Sequence, residues 1–155
     1  MTKFMIIFHA VFSVILLLAF LGNLYYCRKN SSTKKYSDQI FHTNIINTAK
    51  ENNNFRNVLA TAAHSQVVLM SILPGESIGK ESHDVDQTLV FTQGSGKAII
   101  NDKDYVIASG DLFFVPAGAV HDFINTGKEP MKIFTVYAPS QHKQGLVQKT
   151  KPAHD

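Results

Sequence analysis

The stretch Gly110-Asp111-Leu112-Phe113-Phe114-Val115-Pro116-Ala117-Gly118-Ala119-Val120-His121-Asp122-Phe123-Ile124-Asn125 decides how this 155-residue chain folds. Residues 112–115 and 120–125 are short runs rich in β-branched and aromatic side chains, and Pro116-Ala117-Gly118 between them is a turn signal. A turn of this length sends the chain back on itself, so His121 enters the second strand at a set height and can point into the space the strands enclose. The same texture continues on both sides. Runs at 55–60, 66–73, 88–93, 97–101, 105–108 and 131–138 have strand length and strand composition. Between them stand Pro74-Gly75, Gly94-Ser95-Gly96, Asn101-Asp102, Ser109-Gly110, Asn125-Thr126-Gly127 and Glu129-Pro130. No helical period interrupts the series, and residues 44–57, with Asn52-Asn53-Asn54, read as extended or irregular. Many short strands at close spacing predict an all-β barrel or jelly roll.

Within the opening stretch, Gly110, Pro116, Gly118, His121 and Asn125 are separated by five, one, two and three residues. This spacing resembles the second signature of the cupin family at every fixed position. At average residue usage, five fixed positions would coincide by chance in roughly 10⁻⁵ to 10⁻⁴ of chains of this size. The first cupin signature has Gly, His, His, Glu and Gly, and Gly75, Glu81, His83, Gln87 and Gly94 fall on those places. Two ligand types therefore differ: Glu81 stands for a histidine and Gln87 for a glutamate. The resemblance implies that Glu81, His83, Gln87 and His121 present two imidazoles, a carboxylate and an amide oxygen to one point. In a strand, positions 81 and 83 share a face, and position 87 joins them either through a regular strand or through a corner at Asp84-Val85-Asp86. Such a set suits a divalent transition metal (Mn, Fe, Ni, Co or Zn) better than Mg or Ca, which prefer oxygen alone. Three His with one Glu carry a formal charge of −1, and so do two His with Glu81 and Gln87, so a divalent ion leaves +1 in either case.

The likeness runs over residues 44–155 and is nearest to the small single-domain cupins of the mannose-6-phosphate isomerase-like type. The flanking segments Asn54-Phe55-Arg56, His64-Ser65-Gln66 and Tyr137-Ala138-Pro139 agree with it, whereas the tail Gly145-Leu146-Val147-Gln148 departs.

The N-terminus has a different character. Residues 4–27 contain no Asp, Glu, Lys or Arg, and a helix of that length spans roughly 36 Å against a hydrocarbon core of about 30 Å. The expectation is one N-terminal transmembrane helix within residues 1–29. Tyr25 and Tyr26 sit at its aromatic edge, with Arg28 and Lys29 immediately beyond. A cleaved export signal is the competing reading, but no Ala-x-Ala site closes the apolar run. Residues 30–43 read as a polar tether, and residues 44–155 as the cupin domain. Cys27 is the only cysteine, which excludes an intrachain disulfide framework and any Cys-x-x-Cys site.

Residues 1–43 hold five basic side chains against one acidic, while the remainder holds ten against eleven. A folded domain near neutrality is not a nucleic-acid-binding surface. Four basic residues close behind the apolar run place the cupin domain on the cytoplasmic side of a membrane. The partners expected are a membrane, through residues 4–27, and a small-molecule ligand, and a homodimer is compatible with this reading. Cupins include isomerases, dioxygenases, decarboxylases and plain binding proteins. The site therefore supports a metal-dependent isomerase or oxygenase, a non-catalytic binding or sensor protein, or a structural barrel with no ligand. Tyr105, Tyr137 and His64 are the candidates for an additional acid or base. Leu89, Phe91, Phe123 and Phe134 are the expected apolar walls.

Overall fold

The computed structural model describes residues 40–153. The apolar run and most of the tether lie outside them. Among the described residues no helix is long and apolar enough to cross a membrane.

The described residues form one short helix and nine strands: α1 (Ile45–Glu51), β1 (Arg56–Thr61), β2 (Gln66–Ile72), β3 (Asp86–Gln93), β4 (Gly96–Ile100), β5 (Lys103–Ile107), β6 (Leu112–Val115), β7 (His121–Ile124), β8 (Met131–Ala138) and β9 (Val147–Gln148). Six of the strands make one antiparallel sheet in the order β6-β3-β8-β2-β1-β9, and three make a second in the order β5-β4-β7. The two sheets form the jelly-roll barrel expected of the strand pattern. Its interior is filled by Val68, Met70, Leu89, Phe91, Ile107, Phe123 and Ile133, each at most 1% exposed, and by their neighbours. Phe91, Phe113 and Phe123 meet edge-on or tilted at 5.4–5.6 Å between ring centres.

Residues 44–57 are not all extended, because α1 lies among them. Asn44 caps it by accepting from the Asn47 amide at 3.1 Å, and the Asn52 amide closes it on the carbonyls of Thr48 and Ala49. Only Ala49 is buried on this helix, so one apolar position over two turns left no periodic trace.

Two glycines set the register that matters for the site. Gly96 opens β4 where a Cβ would come within 2.2 Å of the Ile124 carbonyl oxygen, so only glycine lets β7 approach this closely. Gly118 sits at φ +80°, in the left-handed region, at the end of the turn that delivers His121. The alternation of β8 turns Ile133, Thr135 and Tyr137 inward, each 0% exposed. Phe134, paired with Leu69 and Val90, belongs to the opposite face and is not a wall of the interior.

Candidate metal centre

Each predicted ligand is placed by a different device. His121 is the first residue of β7, directly after the Pro116–Gly118 turn. Glu81 lies on no strand of its own, but it forms a single antiparallel bridge with His121. The two residues exchange both backbone hydrogen bonds, each at 2.9 Å. The whole segment 75–81 is laid along β7 in this way, through Gly75 to Asn125 and Ile78 to Phe123.

His83 and Gln87 depend on the corner between them. The Gly118 amide donates to the His83 carbonyl at 2.8 Å, and the Ala117 amide donates to Asp86 Oδ1 at 2.9 Å. The turn of the second motif thus holds the corner of the first. The chain bends at 84–85 and resumes as β3 at Asp86, so the corner, and not a continuous strand, aims Gln87 inward.

Glu81, His83 and His121 converge, with one ligand atom from each lying within 4.8 Å of the others. His83 Nε2–H donates to Glu81 Oε1 at 3.1 Å, and His121 Nε2 stands 3.7 Å from the same oxygen. The two imidazole rings meet at 5.5 Å between centres. His121 Nδ1–H donates to the Ala119 carbonyl at 2.9 Å, which leaves the Nε2 lone pair facing the cluster. Burial raises the pKa of a carboxylate, but at Glu81 the adjacent His121 and His83 imidazoles outweigh it and hold the pKa at about 2. Burial opposes protonation of His121, yet Glu81, the Ala119 carbonyl and Asp122 together raise its pKa.

Gln87 lies on the six-stranded sheet and is linked to His83 of the cluster through Tyr137. It is 1% exposed, and its Nε2 donates to the Tyr137 hydroxyl at 2.9 Å. The Tyr137 ring lies edge-on to His83, 5.5 Å between centres. Val115, Gln87, Tyr137, Gln66 and Thr61 are aligned in register across five strands, giving a row with four polar members.

Two buried polar atoms in this group have no hydrogen-bond partner, His121 Nε2 and Gln87 Oε1. Leaving such atoms unmatched costs about 1–3 kcal/mol each, and both are lone-pair donors of the kind a metal accepts. The donor set of two imidazoles, a carboxylate and an amide oxygen fits a divalent transition metal.

The remaining candidates divide. Tyr137 belongs to the site, but Tyr105 is 44% exposed and packs on Phe113, and His64 lies in the exposed turn before β2. Two neighbours carried no signal in the sequence. Gln141 Nε2 approaches His83 Nδ1 at 3.3 Å, and the His142 ring meets Tyr137 edge-on at 4.9 Å. Both lie on the irregular segment after β8, where no strand period marks an inward position.

The cupin domain family matches residues 68–137, a span that contains all four predicted ligands. Protein YrkC of Bacillus subtilis (strain 168) is 41% identical over 130 residues, covering 79% of this chain and 70% of YrkC. Protein L612 of Acanthamoeba polyphaga mimivirus is 32% identical over 120 residues, 74% of this chain and 75% of L612. The crystal structure of BH2720 from Bacillus halodurans shares the fold with a TM-score of 0.72 at 37% identity, over 74% of this chain and 92% of that one. Matched by the cupin domain family and along most of the length of these relatives, the chain belongs to the cupin family.

Proposed function

We propose that this cupin holds a divalent transition metal through Glu81, His83, Gln87 and His121 and binds a small, polar, oxygen-rich molecule there, while residues 4–27 anchor it in a membrane. The observation that carries the metal reading is the pair of buried, unpartnered donor atoms, His121 Nε2 and Gln87 Oε1, beside the Glu81–His83 contact. When bound, a divalent ion supplies a Lewis acid that polarises a ligand oxygen. The chain supplies the rest. Ala119 fixes the tautomer of His121, Tyr137 orients the Gln87 amide, and the buried apolar surroundings of Leu89, Phe91 and Phe123 strengthen every charge interaction in the site. The formal +1 left by the four ligands and the ion favours an anionic or oxygen-rich ligand.

Turnover as an isomerase or an oxygenase is the catalytic form of this reading, and a non-catalytic binding or sensor role is the alternative. Isomerisation needs a base that carries a proton between carbons. Glu81 is pinned by its backbone to His121 and by its carboxylate to His83, which favours binding or oxygen chemistry over isomerisation. The test is metal analysis of the full chain purified without chelator, followed by thermal shift of the metal-loaded protein with small oxyacids and sugar phosphates. A bound transition metal and a melting temperature raised by one of these classes support the reading. Absence of metal, with no shift on adding Mn, Fe, Ni, Co or Zn, overturns it.

A further inference from the structure

The two histidines of the site are supported in different ways. His121 is held by its own chain: Nδ1–H donates to the Ala119 carbonyl, a fixed acceptor two residues away, so its tautomer is set before anything binds. His83 has no such backbone acceptor at Nδ1. That nitrogen instead faces the side-chain amide of Gln141 at 3.3 Å, and an amide, unlike a carbonyl, can donate from nitrogen or accept on oxygen.

We propose that Gln141 is the positioning residue of His83, an amide that turns over to hold whichever Nδ1 state the other side of the ring demands. In the metal-free protein His83 Nε2–H donates to Glu81, so Nδ1 carries a lone pair and receives the Gln141 N–H. When Nε2 must offer its lone pair to a metal, the ring proton moves to Nδ1. Rotation of the amide then presents the Gln141 oxygen as acceptor. No proton is lost from the pair and no backbone shift is needed. A histidine ligand whose second nitrogen is held in this way binds metal about 10–100-fold more tightly than one left unsupported.

The segment that carries Gln141 is anchored for this task. Gln66, 1% exposed on β2, accepts from the His142 amide at 2.9 Å and donates to the His142 carbonyl at 2.8 Å. It also donates to Thr61 at 2.9 Å. A buried side chain of the barrel therefore clamps the backbone of the residue next to Gln141, while the Gln141 side chain stays exposed and able to rotate. The inference about the metal-bound tautomer rests on the metal reading above, but the hold on the metal-free ring does not.

The experiment compares wild type, Gln141→Leu and Gln141→Glu in the full chain in detergent. Long-range ¹H–¹⁵N spectra at mildly alkaline pH report the His83 ring protons without metal, and competition with a chromophoric chelator reports affinity for Zn or Mn. The expected result is a proton on Nε2 of His83 in wild type and in Gln141→Leu, and a proton on Nδ1 in Gln141→Glu, whose carboxylate only accepts. With metal, Gln141→Leu should bind at least about tenfold more weakly and Gln141→Glu at least as tightly as wild type, with unchanged melting temperatures in the metal-free state. A Gln141→Glu variant that leaves Nδ1 bare overturns the proposal, whatever the affinities show, and so does a Gln141→Leu variant that binds metal as wild type does. If wild type binds no metal but Gln141→Glu protonates Nδ1, the metal reading fails and the hold of Gln141 on His83 stands.

Discussion

Glu81 and His121 are joined twice, by two backbone hydrogen bonds of 2.9 Å across an isolated bridge and by a side-chain approach of 3.7 Å into the interior. The backbone pair makes the side-chain geometry independent of whether the side chains attract one another. A carboxylate and an imidazole kept together by the ladder need no partner of their own to stay in place, so the site is assembled before any ligand arrives.

This predicts that the imidazoles can be removed at low structural cost. His121→Ala and His83→Ala should each abolish most metal content, because a neutral imidazole nitrogen is lost from a small ligand set. Each should destabilise the metal-free protein less than Phe91→Ala, a fully buried ring whose loss costs about 3–5 kcal/mol. Elemental analysis and denaturant melts of the three variants check both halves.

Gln87 gives a sharper test. Its Oε1 is buried and unpartnered while its Nε2 serves Tyr137. Gln87→Leu removes the orphan oxygen together with the donor, and is expected to keep the metal-free protein within about 1 kcal/mol of wild type while weakening metal binding. Gln87→Glu should instead tighten binding, since the set then gains a second carboxylate and the bound site falls from +1 to neutral. Equal affinities in the two variants would exclude Gln87 as a ligand.

The corner at residues 84–86 carries a third prediction. Asp86 caps the Ala117 amide at 2.9 Å, so Asp86→Ala unties the Pro116–Gly118 turn from the strand that bears Gln87. The variant should lose about 1 kcal/mol of stability and several-fold in metal affinity, although Asp86 is not one of the four proposed ligands. Isothermal titration with Zn or Mn, beside a melt, measures both.

Much of this architecture was legible because short runs rich in β-branched and aromatic residues stand between clear turn signals. Leu112–Val115 and Met131–Ala138 have the bounds expected of them. The convergence of Glu81, His83 and His121 was legible from spacing: a tight turn and a strand fix the height of His121, and Glu81 and His83 are counted from flanking glycines. What failed to show is what lacks a period. Helix α1 buries a single alanine, β9 has two residues, and Gln141 and His142 lie on irregular backbone held by Gln66 from another strand. Phe134 was misplaced because an apolar residue on the outer face of a sheet looks, in sequence, like one on the inner face.

The membrane anchor rests on sequence alone, and its orientation makes a prediction of its own. Lys3 precedes the apolar run, whereas Arg28, Lys29, Lys34 and Lys35 follow it, so the cupin domain should face the cytoplasm. Protease added outside intact cells or sealed right-side-out vesicles should leave the domain whole. Digestion there reverses the orientation.

Lys132 predicts a pH dependence remote from the site. Its ammonium is buried, with the side chain 3% exposed on average over the residue, and its three acceptors are neutral oxygens: the Asn52 carbonyl, Asn53 Oδ1 at 3.2 Å and Ser71 Oγ at 3.0 Å. It ties the C-terminal cap of α1 to β2 and β8. Desolvation disfavours the charged form and lowers its pKa below the ordinary 10.5. Between the lowered folded value and 10.5 the unfolded chain binds more protons than the folded one, so stability rises with pH through that window. The contribution is fully present above 10.5 and is lost as pH falls through the folded value. Lys132→Met should abolish this alkaline rise, and at neutral pH it should cost about 1–3 kcal/mol, because the Asn52 carbonyl and Ser71 hydroxyl lose their donor in a buried place. Urea melts of both proteins from neutral to alkaline pH measure the two effects together. Parallel curves would show that the ammonium is as well solvated in the fold as in the unfolded chain.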